Sequence, residues 1–365
     1  MIRLADPVLG PEELQAVAAV LASGQLVQGA RVRDFEERVA AVVGTPHAIA
    51  VSSGTAALHL AILALGIGPG DEVIVPDFTW PACANVVELT GARAVLADID
   101  PHTYNLAPAT LAGLLTSRTK AIMAVHLFGL PADLEPILEL ADQRGIPVIE
   151  DAACALGATY QGRPCGGLGR VGCFSFHPRK ILTTGEGGML TTHDEALAAR
   201  LRTLRNHGLV AEGNYGRFTC AGLNLRLTEF QAAIGSVQMS RLPALVARRR
   251  ELAALLLAQL AGCPGVQLPV EPPGHVTNWQ AFVLTLADTV DRDAVRDSLR
   301  AGGVEATLGT HAISAQPAYA GREHCPNSLR AYRQSLALPL HPRMTEADVA
   351  TVAGTLRAVL EKLSR

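Results

Sequence analysis

The chain has 365 residues, 49% of them hydrophobic, which is enough for a sizeable core and, by length, about two domains. A net charge of −3 gives no electrostatic ground for nucleic acid or an anionic membrane as partner, so a small molecule is the starting expectation. Residues 1–7 reach polar side chains and proline too early for a secretion signal. The longest apolar stretch, residues 56–65, contains His59 and is too short to span a bilayer, so the expected location is cytoplasmic.

A first helix is predicted over residues 11–22, with no strand before it. From residue 46 onward, short β-rich runs alternate with helical patterns, as in a largely parallel sheet joined by crossover helices. Strands are expected at 47–51, 72–75, 92–96, 121–125, 147–149 and 172–176, apolar enough to be covered on both faces. Helices are expected at 54–65 and 134–143, with turns at 66–71 and 145–147. This rhythm lasts to about residue 192. A helix follows near Asp194 and a longer one over 241–260, closed by Gly262, Pro264 and Gly265. The remainder reads as a strand over 279–286 and helices over 292–301 and 346–363. The fold class is therefore α/β, with a large domain over residues 1–240 and a smaller α+β domain over 241–365.

Seven cysteines are scattered without metal-ligand spacing, so no metal site is expected. Of 31 basic residues only Lys120, Lys180 and Lys362 are lysines, so chemistry that needs a primary amine has three candidates. In Ser52-Ser53-Gly54-Thr55-Ala56-Ala57-Leu58 an apolar strand turns directly into a helix. Such a turn aims free N–H groups and the positive helix end at a phosphate, although the same residues also make a plain N-cap. In Val148-Ile149-Glu150-Asp151-Ala152-Ala153 two acidic residues end a strand at the edge where open α/β sheets bind ligands. A carboxylate there can keep a pyridine nitrogen protonated, and alternation sends only one of the pair into the crevice without saying which. Phe174-Ser175-Phe176 leads through His177-Pro178-Arg179 to Lys180 and then a glycine-rich turn. Lys180 is placed to form a Schiff base with an aldehyde cofactor and to relay a proton.

These motifs, with Gly70-Asp71-Glu72-Val73-Ile74-Val75-Pro76 between the first and second of them and Asn224 and Arg226 after them, resemble the DegT family of sugar aminotransferases, within the fold type I pyridoxal-phosphate (PLP) enzymes. The resemblance runs from Leu4 to the stretch at residues 338–342. It implies PLP as cofactor, bound covalently at Lys180, with its amine form PMP as the intermediate. It further implies that Asp151 pairs with the pyridine nitrogen and that Gly54, Thr55, Ala56 and the Ser175 hydroxyl hold the phosphate. Ala153 flanks that site, and Trp80 is implied to stack on the ring. Asn224 is implied to reach the phosphate from a neighbouring subunit, making a homodimer with shared sites. Cys154 departs from the family pattern: His or Gln is common there, and cysteine is a poor substitute as donor to the ring hydroxyl. A related dehydratase branch carries histidine in place of the lysine, so Lys180 favours transamination. The expected reaction moves an amino group from glutamate or glutamine to a nucleotide-linked keto-sugar. The alternatives are a cyclitol ketone as acceptor, or a PLP-binding regulatory protein.

Overall fold

The computed structural model describes residues 1–212 and 216–363. The last two residues of the expected C-terminal domain therefore lie outside the described ones. In chain order, the main elements begin with helices α1 (Pro11–Ser23) and α2 (Ala30–Val43), then β1 (His47–Val51), α3 (Gly54–Ala64), β2 (Glu72–Pro76) and α4 (Ala82–Glu88). They continue through β3 (Arg93–Ala97), β4 (Thr119–Val125), α5 (Leu134–Arg144), β5 (Val148–Asp151), β6 (Val171–Ser175) and β7 (Gly188–Thr192).

These strands form one sheet in the order β1-β7-β6-β5-β4-β2-β3, parallel except for β7, which runs against both of its neighbours. Alternation divides the side chains of β1: Ile49 and Val51 enter the core beneath α3 and α4, whereas Ala48 and Ala50 face α2. Both faces of the sheet are covered, and the carboxyl ends of six strands open on one edge.

Asp194 caps α6 (Glu195–Arg205) by accepting the Leu197 N–H. The long helix predicted from residue 241 begins earlier, as α7 (Glu229–Leu260). Thr228 and Gln231 form a reciprocal capping box at its start, and Pro243 lies inside it. The division expected near residue 240 thus falls within a continuous helix. Leu242 and Leu245 of α7 pack in the large core beside α2, while Leu252, Leu256 and Leu260 pack in a second core.

That second core belongs to a four-stranded antiparallel sheet of β8 (Val266–Gln267), β9 (Phe282–Leu286), β10 (Thr307–Leu308) and β11 (Ser335–Leu338), in the order β8-β9-β11-β10. Helices α8 (Arg292–Ala301) and α9 (Glu346–Leu363) cover it. The strand expected from residue 279 starts at Phe282, because Trp279 takes a left-handed backbone (φ 53°) that a strand excludes. Ile2 bridges to Val304, so the first residues of the chain join this C-terminal unit.

Candidate active site

The carboxyl edge of the large sheet, the loop after β2 and the segment 307–311 enclose a cleft of about 790 Å3. At the end of β1, Ser53 caps α3 and its Oγ accepts the Ala56 N–H at 3.0 Å. The next two N–H groups in the first turn, those of Gly54 and Thr55, have no helical acceptor, and both residues line the cleft. A Cβ on Gly54 would sit 2.7 Å from Cβ of Ser175, so glycine is what lets the helix start approach the end of β6. The result is a small cradle of two N–H groups and the Ser175 hydroxyl. Ala56, expected in the same cradle, is buried and its N–H serves the cap instead.

The two acidic residues that end β5 separate by alternation. Glu150 is fully buried; it accepts the N–H groups of Gly166, Leu168 and Gly169 at 2.6–2.7 Å and faces Nε2 of His126 at 2.9 Å. Nδ1 of that ring accepts the Ala132 N–H, which leaves the ring proton on Nε2 for Glu150. Burial alone would raise the Glu150 pKa. His126 and the backbone donors outweigh burial and hold it below its ordinary value. Asp151 instead lines the cleft, with Oδ1 accepting the Ala153 N–H at 3.0 Å and Oδ2 accepting the Cys83 thiol at 3.1 Å.

Lys180 lies in the cleft beside Asp151, and its Nζ donates to Sγ of Cys154 at 3.1 Å. Burial presses its pKa down, but the Cys154 sulfur and the Asp151 charge press it up further, so the net shift is upward. Lys120, in β4, and Lys362, in the last turn of α9, are exposed and outside the cleft. Trp80 stands at the rim, 63% exposed, with its ring edge-on to His311 at 5.7 Å. Asn224 is exposed, bridges to Asn206 through the backbone, and does not line the cleft of its own chain. Arg226 donates to Asn206.

The model of the DegT/DnrJ/EryC1/StrS aminotransferase family matches residues 7–357. The chain belongs to this family. Among its relatives is GDP-perosamine synthase of Caulobacter vibrioides, 43% identical over 338 residues that make up 91% of each chain. The aminotransferase TlmJ of Streptoalloteichus hindustanus is 39% identical and superposes over the full length of both chains with a TM-score of 0.96. A Streptococcus pneumoniae relative, 25% identical, has been solved in a PMP form (TM-score 0.95, all of both chains) and a PLP form (TM-score 0.94, 99% of both).

The family member described here is a PLP-dependent transaminase, and its cofactor is pyridoxal phosphate. The cleft supplies what that molecule needs: an amine, a carboxylate, an indole at the rim, and donors for a dianion at a helix start. Sequence reasoning missed the wall built by Thr307, Gly309, Thr310 and His311, and the contribution of Leu4 and Ala5. No local motif marks them, because they reach the cleft only through the C-terminal sheet. It also missed Cys83, which a sequence presents as one more small apolar residue in a helix.

Proposed function

We propose that this enzyme transfers an amino group from glutamate or glutamine to a nucleotide-linked keto-sugar and releases an amino-sugar. The observation that carries the reading is the likeness to GDP-perosamine synthase over 91% of both chains, in a chain that keeps lysine, carboxylate and phosphate cradle in one cleft. When bound, the cofactor supplies an electron sink for charge at the carbon that gains or loses the amine. Lys180 anchors it through Nζ and, once displaced, takes and returns the proton at that carbon. Asp151 keeps the pyridine nitrogen protonated by its negative charge. Gly54, Thr55 and Ser175 hold the phosphate, Ala153 steadies Asp151 through its N–H, and Trp80 offers a flat face to the ring.

Asn224 is exposed and does not line its own cleft, which supports its serving the phosphate of a second subunit in a homodimer. The reading also keeps a large unit over residues 1–240, a small unit over 241–365, and a cytoplasmic location. Among the described residues no helix is long and apolar enough to cross a membrane.

The test is a panel of nucleotide keto-sugars incubated with glutamate or glutamine and read by mass spectrometry. At least one sugar should gain an amine while the donor becomes its 2-oxo acid. If the donor changes the cofactor's absorption but every sugar stays untouched, the acceptor is another ketone, with cyclitols first to try. No absorption change with any donor would leave a cofactor-binding regulator.

A further inference from the structure

Asp151 and Trp80 come from different parts of the chain. One ends β5 and the other follows β2, yet one buried hydrogen bond ties the two segments together. Cys83, in the first turn of α4, is fully buried, and its thiol meets Oδ2 of Asp151 at 3.1 Å. On its other side the Thr79 hydroxyl lies 3.6 Å from the same sulfur. A carboxylate only accepts, so the thiol proton points at Asp151 and the sulfur is left to accept from Thr79. The chain of contacts therefore runs in one direction, from Thr79 through Cys83 to Asp151. Thr79 and Trp80 both line the cleft, and Thr79 pairs with His311 across a two-residue ladder.

We propose that Cys83 is a positioning residue that registers the Trp80 turn against Asp151 and sets how much of its charge Asp151 presents to the cleft. The inference rests on the reading in which Asp151 faces the cofactor's ring nitrogen. Burial, and then the Asp151 charge beside it, pushes the Cys83 thiol well above its ordinary pKa, so it remains a donor across the working range. A donor on Oδ2 draws off part of the carboxylate's charge, and removing it leaves more of that charge facing the cleft. The proton on the ring nitrogen would then be held more tightly and lost at higher pH.

The test compares Cys83→Val, which keeps most of the volume without a donor, with Cys83→Ser, which keeps a donor. The first readout is the pH titration of the bound cofactor's absorbance in the holoenzyme. Its midpoint should rise by about half a unit to one unit in the Val variant and return toward wild type in the Ser variant. KM for both substrates should move less than kcat. The second readout needs no cofactor: the Cys83 S–H stretching band in the full-length protein, assigned by its loss in Cys83→Val, should shift toward that of a free thiol in Asp151→Asn. A band indifferent to Asp151→Asn would overturn the inference, as would an unmoved midpoint in Cys83→Val where Asp151→Asn does move it. If Asp151→Asn itself leaves the midpoint unmoved, the assignment of Asp151 to the ring nitrogen fails, while the S–H band still reports the bond.

Discussion

At the scale of single residues, two positions divide chemistry from structure. Replacing Lys180 by Ala removes an amine that lies in the cleft and contacts Cys154 but carries no part of the core. Turnover and the donor-induced absorption change should vanish while the melting temperature stays close to wild type. Lys120→Ala, on an exposed site in β4, should leave both readouts unchanged. Glu150 behaves in the opposite way. In Glu150→Gln the amide group must face two of the four donors now shared by the carboxylate, whichever way it is turned. Each donor left without an acceptor costs about 1–3 kcal/mol, so thermal or denaturant unfolding at neutral pH should report a clear loss of stability. Because the Glu150 pKa is lowered on folding, its contribution is present above the ordinary value of 4.5 and is lost as pH falls through the lower folded value. The gap between wild type and variant should therefore narrow only in acid below that ordinary value. Both positions were legible in the sequence, since polar side chains at the end of an apolar strand stand out. Their division of labour was not, because Glu150 owes its partners to residues 126 and 166–169, which nothing local connects to it.

The elements show the same limit at a larger scale. Strand runs in the large sheet are readable because burial on both faces demands continuous apolar residues, and β1, β2 and β4 fall where that pattern puts them. The reversed direction of β7 is not readable, since its residues would suit either orientation and the connection from β6, residues 176–187, is long enough for either. The start of α7 was hidden for a different reason. Gly235 and Pro243 are poor helix residues by propensity, yet Gly235 allows the ring of Phe35 to approach so closely that a Cβ there would come within 2.7 Å of it. The junction of β1 and α3 makes a sharper prediction. Gly54→Ala would press a methyl group against Ser175, a side chain too short to swing clear, and overpacking of this kind costs about 1–3 kcal/mol. The same shift would widen the cradle, so titration with pyridoxal phosphate should show at least a tenfold weaker cofactor affinity, beyond any fall in melting temperature. Unchanged affinity would place the phosphate elsewhere.

For the molecule as a whole, the exposed position of Asn224 outside its own cleft can be tested by mixing two inactive variants, Lys180→Ala and Asn224→Asp. The second places a carboxylate where a borrowed residue would meet a phosphate, and like charges repel. In a mixed dimer, the chain that retains Lys180 borrows a normal Asn224, so one working site per pair should reappear. Subunit exchange is followed by native mass spectrometry, and exchange without recovered activity would mean that Asn224 acts within its own chain. The first residues of the chain impose a different kind of order. Ile2 exchanges hydrogen bonds with Gly303 and Glu305, and the Leu4 N–H donates to the Glu305 carboxylate, which brings Leu4 and Ala5 against the cleft. On the ribosome these residues emerge well before their partners, which follow some 300 residues later. At translation rates of about 5–20 residues per second, that gap lasts tens of seconds. Throughout it the segment has nothing to pair with, and the catalytic half can collapse around its own sheet while one wall of the cleft is still unmade. A stretch synthesised so long before its partners is thus among the last to find its place, so a half-finished chain has no complete cleft in which to hold a reactive aldehyde.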